Sequence, residues 1–97
     1  MELLGFQRKY LRGLAHNLVP VVLIGRGGVS EAVIAAVDKA LADHELIKVK
    51  MMEPEDKRAM AATLAERTDA DLTGLIGHTV ILYRPHPERP KIKLPPR

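Results

Sequence analysis

Pro20-Val21-Val22-Leu23-Ile24-Gly25-Arg26-Gly27-Gly28-Val29-Ser30-Glu31 is the stretch on which the fold turns. Its first part is a run of four aliphatic residues, three of them β-branched. Such a run suits a strand covered on both faces, and we read residues 21–24 as a central strand. Gly25-Arg26-Gly27-Gly28 ends it. Ser30 then stands where a helix N-cap belongs, with Glu31 against the positive end of the helix dipole. A strand, a glycine loop and a helix N-terminus gather several backbone N–H groups around one concavity. Glycine admits unusual dihedrals and close approach of a phosphate, and Arg26 at the tip adds a charge-assisted contact.

Outward from this stretch, Val29, Val33, Val37 and Leu41 recur every four residues and give the following helix a buried stripe. Leu46-Ile47-Lys48-Val49-Lys50-Met51 then alternates as a strand, with Ile47, Val49 and Met51 on one face and Leu46, Lys48 and Lys50 on the other. Pro54 suits the first turn of a third helix, with Glu53, Glu55 and Asp56 at its positive end. Met60, Leu64 and several alanines form its inner face. Residues 71–76 and 79–84 read as two strands joined at Gly77-His78, where glycine first in a two-residue loop fits a type II′ hairpin. Upstream, residues 3–17 read as a helix whose apolar stripe is Leu3, Phe6, Tyr10, Leu14 and Leu18, with Arg8, Lys9 and Arg12 mostly off it. The order is therefore α-β-α-β-α-β-β, an α/β domain with a mixed four-stranded sheet. Its first β-α-β unit is expected to be parallel with a right-handed crossover. We expect one domain over residues 1–97, with a core of about 3–84. Pro85, Pro87, Pro90, Pro95 and Pro96 make residues 85–97 an extended basic tail.

Bulk properties narrow the function. The 97 residues suit one domain and leave no room for a cofactor domain beside a catalytic one. Hydrophobic residues at 46% and charged residues at 28% indicate a folded chain. Aromatics are only 3%, namely Phe6, Tyr10 and Tyr83, so the core must be aliphatic and an RNA site cannot rest on a platform of stacked aromatics. The absence of cysteine excludes disulfides and thiolate metal sites and fits a reducing cytoplasm. No apolar run approaches a membrane span, and no signal-peptide pattern opens the chain. The net charge of +3 is unevenly spread. Arg8, Lys9, Arg12 and Arg26 face only Glu2 among residues 1–30, and Arg84, Arg89, Lys91, Lys93 and Arg97 face only Glu88 among residues 84–97. Segregated positive charge is the footprint of a phosphate-binding surface.

The G-x-x-G spacing alone is weak, since seven glycines yield roughly half a match per chain by chance. A second match, Gly74-Leu75-Ile76-Gly77, has apolar middle residues in a strand and turn, and we give it no RNA role. A dinucleotide-binding turn would need glycine where Ser30 stands, and a P-loop would need a following Gly-Lys. His16, His44, His78 and His86 lie on four separate elements without ligand spacing, so no metal is expected. The lone serine, Ser30, is accounted for as a cap. The reading is a non-catalytic RNA-binding domain without cofactor or metal. Gly25, Gly27 and Gly28 shape the loop and Arg26 contacts phosphate. Lys48, Lys50 and Arg84 extend the basic surface over the sheet, and Arg8, Lys9 and Arg12 extend it from the first helix. A protein–protein adaptor is the alternative.

Several stretches carry a family resemblance. Gly13-Leu14-Ala15-His16, Pro20-Val21-Val22-Leu23-Ile24-Gly25, His44-Glu45-Leu46-Ile47-Lys48-Val49-Lys50 and Ile76-Gly77 with Leu82-Tyr83-Arg84 resemble the YhbY-like proteins, which carry the chloroplast RNA splicing and ribosome maturation (CRM) domain. The resemblance covers about residues 4–95. It implies a compact α/β domain similar to the C-terminal domain of translation initiation factor 3 and related in style to KH domains. It also implies RNA binding through the loop at residues 25–28. For single-domain bacterial members it implies association with large-subunit ribosomal RNA or its precursor particles, and plant members act in intron splicing. From the bulk properties we expect a cytoplasmic protein, and we expect it to act as a monomer. The family often has Thr-Gly-Ala after the third helix, where this chain has Thr68-Asp69-Ala70.

Overall fold

Seven elements follow in the order read from the sequence: α1 (Gly5–Ala15), β1 (Val22–Ile24), α2 (Glu31–His44), β2 (Leu46–Met51), α3 (Lys57–Arg67), β3 (Asp71–Ile76) and β4 (Thr79–Tyr83). The computed structural model describes residues 2–96. The sheet order is β1-β2-β4-β3. β1 runs parallel to β2 through the α2 crossover, with Val22 opposite Val49 and Ile24 opposite Met51. β4 is antiparallel to both β2 and β3. The β3–β4 hairpin closes at Gly77-His78 between the pair Ile76 and Thr79. Gly77 has φ +59° and His78 does not share the positive φ, as a type II′ loop requires.

β1 is an edge strand, not the central one expected. The crossover seats β1 beside β2, and β4 takes the other edge of β2. Val22 and Ile24 face the main core, but Leu23 on the other face is 64% exposed. A four-aliphatic run signals burial without saying how many neighbours the strand has.

Two apolar clusters sandwich the sheet. On one face, α2 and α3 contribute Val37, Leu41, Ala61 and Leu64 against Ile24, Ile47, Val49, Met51, Val80 and Leu82. On the other, α1 contributes Leu11 and Ala15 against Leu46, Ile81 and Tyr83. The alternation of β2 therefore sorts as its sequence implies. The ends of the helices are set by polar caps. Ser30 Oγ accepts from the Val33 N–H at 3.2 Å, and Asp56 Oδ1 accepts from the Ala59 N–H at 3.1 Å. Asp56 thus opens α3 as its cap, and Pro54 precedes the helix instead of starting it.

α1 is rotated relative to its expected stripe. Leu3, Gln7, Leu11 and Ala15 are buried, whereas Phe6, Tyr10, Leu14 and Leu18 lie outward, with Phe6 47% exposed. Gln7 can occupy a buried position because it is satisfied on both sides. Its Oε1 accepts from the Leu4 N–H and its Nε2 donates to the Pro95 carbonyl. The tail is extended but not detached, so the core reaches beyond residue 84. Ile92 and Leu94 pack on the α1 cluster, and the buried Glu45 carboxylate accepts from the N–H groups of His86, Lys91 and Ile92 at 2.8–3.0 Å. Asp69 takes φ +54° just after α3, where the resemblance carries glycine. No helix is long and apolar enough to cross a membrane among the described residues.

Candidate nucleic-acid interface

The loop at residues 25–28 leaves the C-terminal end of β1 and leads into the N-terminus of α2. Gly28 donates to the Gly25 carbonyl at 3.1 Å, closing a tight turn, and its φ of +67° favours glycine. Gly25 and Gly27 are different. Their φ values are ordinary and nothing stands within 4 Å of where a Cβ would lie. The fold does not demand glycine there; open space for a close neighbour is what its absence of side chain supplies. The Arg26 and Gly27 N–H groups donate to no acceptor among the described residues. The loop that carries them leads into α2, and the positive end of a helix dipole favours an anion.

Acids stand opposite. The loop lines a cleft of about 310 Å³ together with Glu53, Glu55 and Asp56. Arg26 Nε meets Glu53 Oε2 at 3.3 Å, with the two side chains 88% and 72% exposed. An ion pair so open to water is worth about 0–1 kcal/mol, so a phosphate can displace it. Of Glu53, Glu55 and Asp56, expected at the positive end of the third helix, Asp56 is the residue that caps it; the dipole reading accounts for the acids by the helix start alone. It gave no sign that the end of β2 carries this acidic stretch to the loop, because the proximity arises from the parallel β1–β2 pairing.

The other basic residues singled out in the sequence differ in what they already hold. Arg8 forms a forked pair with buried Asp71, Nη2 to Oδ1 at 2.8 Å and Nε to Oδ2 at 3.2 Å. Hydrogen bonding to Asp71 is the main cause of the raised Arg8 pKa, partly opposed by burial. Arg84 donates to Asp38 Oδ1 and to the Thr68 carbonyl, both at 2.7 Å. These two arginines tie elements together. Arg12 donates to the Thr73 carbonyl at 3.0 Å, and Lys48 Nζ to the carbonyls of His16 and Leu18. Their acceptors are neutral, so their charge is not cancelled. Lys9 and Lys50 are exposed and hold no side-chain partner among the described residues. Lys50 lies opposite Leu23, two residues before the loop. His16 was not singled out, yet it lines a cleft of about 260 Å³ with Arg12 and Lys48. Its place one turn beyond Arg12 was the available signal.

Comparison with known proteins agrees with this architecture. Residues 3–84 match the model of the CRS1/YhbY (CRM) domain. A Haemophilus influenzae protein named "RNA-binding protein" is 44% identical over 91 residues, covering 92% of this chain and 91% of the relative. A Bacillus subtilis protein named "Probable RNA-binding protein YqeI" is 38% identical over 95 residues, covering 96% of this chain and 99% of the relative. A solution structure from Staphylococcus aureus, described as a candidate RNA-binding protein, superposes with TM-score 0.84 at 42% identity, covering 97% of this chain and all of the other. With the family model and these relatives spanning nearly the whole chain, the protein belongs to the CRS1/YhbY (CRM) domain family.

Proposed function

We propose that this chain is a non-catalytic, cytoplasmic RNA-binding protein that acts as a monomer on large-subunit ribosomal RNA or its precursor particles and assists ribosome assembly. The carrying observation is the loop at residues 25–28, leading into α2, whose Arg26 and Gly27 N–H groups meet no acceptor among the described residues and whose arginine, among those residues, is held by one exposed glutamate. The names of the relatives support the same ligand. Gly25, Gly27 and Gly28 admit the phosphate and Arg26 binds it. Lys50 and Lys48 continue the contact along the sheet, with Lys9 and Arg12 beyond them. Arg8 and Arg84 contribute mainly by holding α1 and α2 against the sheet's far end.

The test is Arg26→Glu beside Lys39→Glu, an equal charge change on α2 where Lys39 pairs with Asp43. Arg26 is exposed, so the first variant alters stability by no more than about 0.5 kcal/mol. It weakens binding to naked ribosomal RNA across sequences and lowers the salt slope by roughly one unit per lost phosphate contact. Lys39→Glu matters much less. Equal effects would reduce the loop to a turn and leave only net charge. A ribosome-associated adaptor is the second reading, favoured by the outward apolar residues of α1. Binding to particles but not to naked RNA would establish it.

A further inference from the structure

The rotation of α1 brings to the surface two of the chain's three aromatic residues. Phe6 and Tyr10 stand one turn apart on the same side, 47% and 42% exposed. We propose that this pair is a second RNA contact, on which unpaired bases of a single-stranded segment stack. The proposal rests on the RNA-binding reading above.

Three observations carry it. The rings border a shallow groove of about 500 Å³ completed by Lys9, Gly13, Leu14 and Pro95. Nothing lies within 4 Å of where a Gly13 Cβ would stand, so the ground beside Tyr10 is open to a flat ligand. Charge selects the occupant. Lys9 lies between the rings in sequence with no carboxylate partner among the described residues, and neighbouring Arg12 gives its hydrogen bond to a neutral carbonyl. An apolar face with uncancelled positive charge fits a polyanion that also carries flat apolar groups. The spacing then selects single strands. Four residues of helix advance about 6 Å, wider than the roughly 3.4 Å step of a stacked duplex. Bases in single-stranded loops and ends can be splayed onto side chains, and those in duplex RNA cannot. The low aromatic content excludes an extended platform, but two adjacent rings serve two bases.

The experiment uses the tyrosines. The chain has two and no tryptophan, and Tyr83 is only 2% exposed. In a Tyr83→Phe background, Tyr10 is the sole tyrosine emitter. We expect its emission to fall as a single-stranded uridine-rich oligoribonucleotide is added at low salt, and not with a duplex of equal length. Phe6→Ala and Tyr10→Ala each weaken oligonucleotide binding about ten-fold, while Tyr10→Phe binds as the parent does. Circular dichroism confirms the fold of each variant. If Tyr83→Phe does not fold, the parent's own emission gives the same readout because Tyr83 is buried. The proposal is overturned if the oligonucleotide binds, Arg26→Glu weakens that binding, and yet emission and the alanine variants are unchanged; RNA binding through the loop then stands alone. Absence of any RNA binding overturns both readings together. Alanine variants that lose self-association in sedimentation, with RNA affinity intact, assign the face to a second copy and also overturn it.

Discussion

Glu45→Gln tests whether the C-terminal segment belongs to the fold. Glu45 Oε1 accepts from the Lys91 and Ile92 N–H groups, and Oε2 from His86 and Lys91. An amide keeps the shape but turns one of these oxygens into a donor facing a donor. At least one buried N–H is stranded, at about 1–3 kcal/mol, and the rest exchange a charged acceptor for a neutral one. The total, about 2–4 kcal/mol, has a ceiling, because a released tail returns its N–H groups to water. The remaining loss is then the burial of Ile92 and Leu94, which are half-buried on the α1 cluster. Half the value of a fully buried aliphatic side chain, taken twice, gives about 1.5–3 kcal/mol. We expect a fall in thermal midpoint of roughly 10–20 °C by circular dichroism. Removing residues 88–97 should give a similar fall, and combining it with Glu45→Gln should add little, since both act through one contact. The pH dependence follows. Burial pushes the Glu45 carboxyl up, but the N–H groups of His86, Ile92 and Lys91, with His86 nearby, more than offset it and hold its pKa below the ordinary value. Its folded pKa is thus below the unfolded one. The contribution is complete above the ordinary carboxylate pKa of about 4.3 and is lost as pH falls through the lower folded value. Glu45→Gln should lack that acid-dependent part. A truncated chain melting within about 2 °C of the full one would refute the reasoning.

Arg8→Ala leaves the buried Asp71 carboxylate, among the described residues, with Thr73 Oγ1 at 3.0 Å as its remaining side-chain partner. Because Arg8 is about one-third exposed, the loss should be about 2–3 kcal/mol in urea denaturation, below the full cost of stranding a wholly buried charge. Asp69→Gly removes a side chain from a left-handed position and should stabilise the protein by about 0.5–1 kcal/mol in the same assay, with no change in RNA affinity. Glu53→Gln frees Arg26 from its exposed partner and should tighten RNA binding several-fold in a titration at fixed salt. Unchanged or weaker binding would count against Arg26 as a phosphate ligand.

The element order was legible because each element carries its own local signal. The alternation of residues 46–51, the Ser30 cap and the Gly77 hairpin all depend on neighbours within a few positions. What was not legible depends on distant residues. The true inner face of α1 reads Gln7-Leu11-Ala15, continued by Leu3 just before the helix, with a glutamine and a small alanine among its members. The competing stripe of Phe6, Tyr10, Leu14 and Leu18 is more apolar by composition. The Gln7 Oε1 is met locally by the Leu4 N–H, but its Nε2 is satisfied by the Pro95 carbonyl, 88 residues away. The docked tail was hidden for the same reason, since it is held by a glutamate 41 to 47 positions away. At the candidate site, the loop was visible and its acidic neighbours were not.

The charge that a ligand meets also differs from the charge of the chain. Arg8, Lys39, Arg67 and Arg84 are neutralised by Asp71, Asp43, Glu31 and Asp38. Arg12 and Lys48 bond to carbonyl oxygens, so their charge persists in the field, as does that of Lys9 and Lys50. All four belong to α1 or to the face of β2 turned toward it, whereas Glu53, Glu55 and Asp56 lie beside the loop near α3. A phosphate chain held only by the loop would sit among those acids. One that crosses the β1 edge leaves them behind and reaches Lys50, Lys48 and Arg12 in turn. That route exists because β1 is the edge strand of the sheet and Leu23 is 64% exposed. The edge position of β1 therefore decides whether the loop and the basic face of the sheet can be engaged by one strand of RNA. Adding a bulky acidic side chain on that route, as in Leu23→Glu, should weaken RNA binding as strongly as Arg26→Glu while leaving the core cluster of Val22 and Ile24 undisturbed. If Leu23→Glu binds naked RNA as tightly as the parent, the strand does not cross there and the loop and the sheet face do not form one surface.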